Sequence, residues 1–229
     1  MVLEIMNGKY PTIQQLISNM KKIFIGTVSS TATVSAYYLT SIFKSQKLLA
    51  KNNIDCYLDL IIDEPILELA RNKLLSIFIE SDCDELILID SDQAWEPEDL
   101  IKLVNSDKDF IGAPVMLKTE NRYNVSFEKY SNEDIMEVNY VGTGFLKISK
   151  KVAKEVFNVS KKYNSDKDAM AFEIAVIDDE ILSEDFSFCK KWKSIGGKIF
   201  IDTTINPYHI GSATFRGNFK DYLERQSNI

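Results

Sequence analysis

Few residue types in this chain can make bonds or hold metals, and they fall at the ends of readable elements. Asp90-Ser91-Asp92 closes the apolar run from Leu86 to Ile89. Residues two apart on an extended chain point the same way, so both carboxylates are expected to face one ligand. Carboxylates that close repel each other and favour a divalent cation between or beside them. A polar turn with a helix cap would explain the same three residues. His209 is the single histidine and stands between Pro207 and Gly211. An imidazole added to carboxylates makes a mixed O/N set that suits Mn²⁺, with Mg²⁺ the weaker candidate; an ordinary surface or core histidine is the alternative.

Glu184 and Asp185 open a helix, where acids favour the helix dipole in any case. Their chemical use would be as a general base or as a group orienting an acceptor hydroxyl. Arg71 lies in an otherwise apolar helix and needs a partner, either a surface carboxylate or a phosphate or base. Gly142 and Gly144 flank Thr143 and permit close backbone approach to a ligand, or else form a bulge. Trp95, just past the acidic pair, could stack on a sugar, but the expectation is burial under the helix that follows it.

The elements that must position these groups read as an α/β chain. Lys22 to Val28 is a buried strand that enters a Thr/Ser-rich loop, with Ser30 or Thr31 capping the next helix. Such a loop offers backbone N–H groups to a phosphate. Asp55 to Ile62 is a second strand, and Pro65 opens a helix reaching about Glu80. The run before Asp90 is the third strand, buried on both faces, and its carboxyl end is where ligands sit in open α/β sheets. Pro97 opens another helix and Asp109 to Val115 is a fourth strand, so the order β-α-β-α-β-α-β predicts a parallel sheet. Tyr123 to Tyr130 and Met136 to Ile148 read as an antiparallel excursion appended to it. Lys150 to Phe157 is a short helix, and Asn158 to Asp179 is expected to be a mobile loop. Ser183 caps a helix stopping at Gly196-Gly197, Lys198 to Ile201 is a last strand, and a polar tail follows His209.

Composition sets bounds on function. A chain of 229 residues with 45% hydrophobic and 27% charged residues is that of an ordinary globule. The expectation is one domain over 1–229: a lead-in at 1–20, a nucleotide-binding half at 22–115 and an acceptor and metal-completing half at 116–217. Net charge is −7 without a basic cluster, which argues against nucleic acid as partner. Cys56, Cys83 and Cys189 form neither a metal pattern nor a disulfide framework. No apolar run is long enough to cross a bilayer and the start shows no leader, so a cytoplasmic protein, in the host cytoplasm if viral, is expected.

Taken in order, TVSS at Thr27 to Ser30, ARN at Ala70 to Asn72, DSD at Asp90 to Asp92, GTGF at Gly142 to Phe145, SED at Ser183 to Asp185 and HIG at His209 to Gly211 resemble the GT-A-fold glycosyltransferases. The likeness is greatest to the small stand-alone GT-A domains of large DNA viruses and phages. It implies a Rossmann-like, mostly parallel sheet flanked by helices, with a smaller antiparallel acceptor-side portion. It implies a metal-dependent transfer of sugar from a nucleoside-diphosphate sugar, a UDP-sugar favoured, to a hydroxyl acceptor such as a glycan. Asp92 and His209 would then bind Mn²⁺ (or Mg²⁺), with Asp90 on the ribose or on the metal through water. Thr27, Ser29, Arg71 and Ser91 would hold the nucleotide, and Gly144 would lie against the donor sugar. Asp185, with Glu184 beside it, would be the base if the reaction inverts. A nucleotidyltransferase would be expected to carry a Gly-rich signature with a lysine near the first strand, which KIFIGTVSS lacks. A phosphatase using Asp-x-Asp would usually want Thr or Val soon afterwards, where Gln93-Ala94-Trp95 stands. A non-catalytic nucleotide-sugar-binding module is the remaining alternative.

Overall fold

The computed structural model describes every residue except 1–19, 120–121, 130, 132, 178 and 228–229, so the expected lead-in lies outside the described residues. In chain order the principal elements are β1 (Lys21–Ser29), α1 (Ala36–Lys51), β2 (Ile54–Ile62), α2 (Leu67–Glu80), β3 (Glu85–Ile89), β4 (Gln93–Ala94), α3 (Pro97–Asn105) and β5 (Phe110–Gly112). Then follow β6 (Val125–Ser126), β7 (Ile135–Val138), β8 (Tyr140–Val141), β9 (Phe145–Ser149) and α4 (Lys150–Val159). The two short hairpins β10 (Lys162–Tyr163) with β11 (Asp168–Ala169) and β12 (Ala175–Ile177) with β13 (Glu180–Leu182) come next. The chain finishes with α5 (Glu184–Ser194), β14 (Ile199–Asp202), β15 (Tyr208–Ile210), β16 (Thr214–Phe215) and α6 (Phe219–Ser227).

Strand side chains alternate between faces, and β3 shows what that does here. Leu86 and Leu88 enter one apolar core, whereas Ile87 and Ile89 enter the other on the opposite face of the sheet. The flanking strands divide the same way, with Phe24 in the first core and Ile23 and Ile25 in the second. A continuous apolar run is therefore what a sheet covered on both sides requires, and the reading of Leu86 to Ile89 as a doubly buried strand holds.

The main sheet has the order β2-β1-β3-β9-β5-β14-β7. β1 pairs in parallel with β2 and β3, and β14 with β5. β9 is antiparallel to both β3 and β5, and β7 is antiparallel to β14. The sheet is thus mostly parallel and flanked by helices, with small antiparallel sheets beside it, which is the α/β architecture expected. Of the antiparallel strands, β7 is appended at the edge, as the element order suggests, but β9 is not. β9 is inserted between β3 and β5, because Phe145 faces one core while Leu146 and Ile148 face the other, and only a central position covers both.

Three local readings are corrected. α1 is capped by Ser35, whose hydroxyl accepts from Tyr38 N at 2.9 Å, and not by Ser30 or Thr31. The expected mobile loop from Asn158 to Asp179 carries the hairpin β10–β11, and Phe172 in it is fully buried and stacked on Phe188. Asn72 fixes that segment from α2: its Nδ2 donates to Phe172 O and its Oδ1 accepts from Phe172 N, both at 2.8 Å. The polar tail includes α6, which buries Phe219 and Leu223 and sets Phe219 edge-on against Tyr123. Trp95 is buried, with its indole N–H on Ser45 Oγ and its ring edge-on to Tyr38, so these two partners lie on α1 before it and not on the helix that follows. Among the described residues no helix is long and apolar enough to cross a membrane.

Candidate functional site

The acidic turn sits where β3 ends, and three backbone bonds hold it. Asp90 N donates to Gly144 O at 3.3 Å, Ser35 N to Ser91 O at 3.0 Å, and Ile210 N to Asp92 O at 2.8 Å. Gln93 N also closes back on Asp90 O at 3.0 Å, so residues 90–93 form a turn and are not extended. The two carboxylates therefore diverge, contrary to the two-residue alternation of an extended chain. Asp90 Oδ1 meets Arg71 Nη2 at 3.0 Å, while Asp92 Oδ2 faces Lys118 and His209. Asp90 and Asp92 still line one cleft of about 270 Å³, together with Ser29, Ser91, Arg71 and Glu64.

His209 reaches Asp92 because β15 pairs antiparallel with β4, the strand that immediately follows the acidic turn, in the register His209↔Gln93. Its Nδ1 lies 2.9 Å from Met116 O. A carbonyl only accepts, so Nδ1 carries the proton, and in the neutral ring Nε2 is left as a lone pair. That nitrogen is 3.4 Å from Asp92 Oδ2. Two ligands about 2.1 Å from one octahedral ion stand about 3 Å apart, so Asp92 and His209 fit a shared divalent cation. Asp90 does not complete the set: its Oδ1 is turned to Arg71, and no cluster of three potential ligands occurs among the described residues. Lys118 Nζ, 2.6 Å from Asp92 Oδ2, was not foreshadowed by any motif. Burial raises the Asp92 carboxyl, but the His209 ring, when it carries a proton on Nε2 as well, and the Lys118 ammonium outweigh it and bring its pKa down to about 2.

Arg71 is the second organising group. It is 5% exposed, and its guanidinium bridges Asp90 and Glu184, so the expected need for a partner is met by carboxylates from two elements. Burial pushes the Glu184 carboxyl above its ordinary range, and the Arg71 charge opposes that rise. Glu184 is thereby committed to Arg71, which leaves Asp185 as the better-placed acid. Asp185 Oδ1 accepts from Ser183 Oγ and from Phe186 N; Ser183 holds the N-cap position of α5 as expected, with its hydroxyl turned to Asp185 and not to a helix N–H. Its Oδ2 lies over Gly142, where an added Cβ would stand 3.0 Å from it and 2.5 Å from Asn124 Nδ2. Gly144 sits 3.4 Å, by the same measure, from Asp90 Oδ2. The loop Gly142-Thr143-Gly144 therefore runs from one acid to the other, and both glycines serve close approach.

Two nucleotide-side expectations part company. Ser29 lines the cleft, although its hydroxyl is spent on Thr33 O at 2.6 Å and so shapes the loop. Thr27 is fully buried, bonded to Ile89 O at 2.8 Å and to Tyr38 Oη at 2.6 Å. It therefore supports β3 from behind and does not face a ligand.

No protein-family model matches the sequence, and no curated protein does. Among solved structures, the chain is similar to A197 from STIV, at 22% identity over 84% of this chain and 87% of that one, with a TM-score of 0.56. Glycosyltransferases and nucleotidyltransferases are also among the similar structures. A Drosophila β-1,4-galactosyltransferase 7 mutant complexed with manganese, UDP-Gal and xylobiose matches at 14% identity over 81% of this chain and 66% of that one, TM-score 0.47. The inositol-1-phosphate CTP transferase from T. maritima matches at 11% identity over 90% and 96%, TM-score 0.44.

Proposed function

We propose that this protein is a metal-dependent glycosyltransferase that moves a sugar from a nucleoside-diphosphate sugar, a UDP-sugar favoured, to a hydroxyl acceptor such as a glycan. One observation carries the proposal: Asp92, which lines the strand-end cleft, stands with its Oδ2 3.4 Å from the lone pair of His209 Nε2. An Mn²⁺ or Mg²⁺ ion held there would offset the charge that builds on the departing diphosphate. The chain's own groups supply the rest. The Ser29–Thr31 loop, Ser91 and Arg71 offer donors along the cleft; Asp90 would take the ribose, and Gly144 beside it would lie against the donor sugar. Asp185, held by Ser183 and the Phe186 N–H, keeps Oδ2 turned toward Gly142, where it would accept the acceptor hydroxyl's proton if the reaction inverts.

The test is a panel of nucleotide sugars with and without Mn²⁺, read by thermal shift and by release of nucleoside diphosphate. Mn²⁺-dependent stabilisation by a donor, with transfer or slow hydrolysis of its sugar, is the expected result. Release of pyrophosphate from a nucleoside triphosphate and a sugar phosphate would instead make the protein a nucleotidyltransferase. Binding without turnover would make it a module.

A further inference from the structure

Lys118 is the charged group at the Asp92–His209 seat to which the proposed function assigns no task. Its ammonium is 2.6 Å from Asp92 Oδ2, the same oxygen that faces His209 Nε2. With the His209 proton on Nδ1, that nitrogen and that oxygen present two lone pairs to each other, and the ammonium supplies the positive charge beside them. The position is built: the lysine stem lies along Gly211, where an added Cβ would stand 3.1 Å from Lys118 Cδ and 3.3 Å from Cε. The side chain is 41% exposed, so its head can leave for solvent without unfolding anything.

We propose that Lys118 is the resident cation of the Asp92–His209 seat, and that a divalent ion must displace its ammonium to load. The inference rests on the metal-site reading above. Lys118 occupies the Asp92 oxygen that faces His209, and so weakens the seat for bare metal. Loading is then most favourable when an anionic ligand arrives to accept the displaced ammonium.

The test titrates Mn²⁺ alone into the full chain and follows free Mn²⁺ by its electron paramagnetic resonance signal. An exposed ion pair changes an equilibrium by up to roughly fivefold, so Lys118→Met should tighten Mn²⁺ binding by about two- to fivefold. Gly211→Ala, which keeps the lysine but crowds its stem, should shift affinity in the same direction. Added salt screens the pair and should narrow the gap between wild type and Lys118→Met. Equal or weaker Mn²⁺ binding by Lys118→Met would overturn the role of Lys118 while leaving the metal site standing. If neither protein binds Mn²⁺, and Asp92→Asn behaves like both, the metal reading falls and takes this inference with it.

Discussion

Replacing Arg71 with methionine keeps the apolar stem and removes the guanidinium that joins α2 to the acidic turn and to α5. The Arg71 side chain is 6% exposed and that of Glu184 12%, whereas Asp90 is 37% exposed. Taking away one partner of a buried pair costs roughly 3–5 kcal/mol, because the other charge is left uncompensated. The Asp90 arm is open to water and adds about 1 kcal/mol at most, so the greater part falls on Glu184. We expect a loss of about 3 kcal/mol at pH 8, which for a chain of this size lowers Tm by roughly 6–12 °C. Glu184 is already held above the ordinary carboxyl range by burial, and Arg71 is the main force opposing it. Without Arg71 its folded pKa rises further above the unfolded value. A raised carboxyl favours the fold at pH below the unfolded pKa and ceases to do so as pH climbs through the folded one. The deficit of Arg71→Met should therefore be small near pH 4.5, an acidity set by the ordinary glutamate value, and full at pH 8. Urea unfolding of wild type, Arg71→Met, Glu184→Gln and the double variant at both pH values measures this. Glu184→Gln should restore most of the loss in the Arg71→Met background. A deficit that is independent of pH and unrelieved by Glu184→Gln would refute the assignment of the buried charge to Glu184.

Asp92→Asn should abolish Mn²⁺-dependent nucleotide binding in a titration. Its stability deficit should follow pH in the opposite sense, since the Asp92 pKa falls from 3.8 to about 2: present above about pH 4 and gone by about pH 2. Discounted for 37% exposure, that deficit is about 1 kcal/mol. Asp185→Asn should slow sugar transfer by roughly 10²–10⁴-fold while donor affinity holds; an equal loss of both in single-turnover and binding assays would make Asp185 a structural residue. Thr27→Val should cost about 1–2 kcal/mol in urea unfolding, through the unsatisfied Tyr38 hydroxyl and Ile89 carbonyl. Donor affinity should stay within about twofold, the reverse of what a nucleotide ligand would show.

What the chain order made legible was local. The apolar runs of β1, β2 and β3, the proline opening α3, the stop at Gly196, whose φ is +88°, and the acids at the carboxyl end of β3 all follow from neighbours within a few residues. Propensity, capping and alternation are short-range effects, so a sequence displays them directly. Of the six short motifs, TVSS, ARN, DSD, GTGF and HIG each supply a residue to the acidic turn or its cleft, and SED reaches it through the Glu184–Arg71 pair, while Asn72 of ARN is a pin for Phe172.

Which groups meet was decided only by tertiary structure. Nothing near Asp92 in the chain announces that β15 pairs with β4 and delivers His209, or that Lys118 arrives from the loop after β5. Arg71 reads as a cation in want of a partner, but that its partners are Asp90 and Glu184 depends on how α2 and α5 pack at the end of β3. The insertion of β9 into the middle of the sheet has the same origin: strand pairing is set by the burial of two faces at once, and that constraint couples residues far apart in the chain. The alternation rule failed at Asp90 and Asp92 because one backbone bond, Gln93 N to Asp90 O, turned an extended segment into a corner. The residues dictate which chemistry is on offer; the long-range pairing of strands decides which carboxylate receives a cation and which receives an arginine.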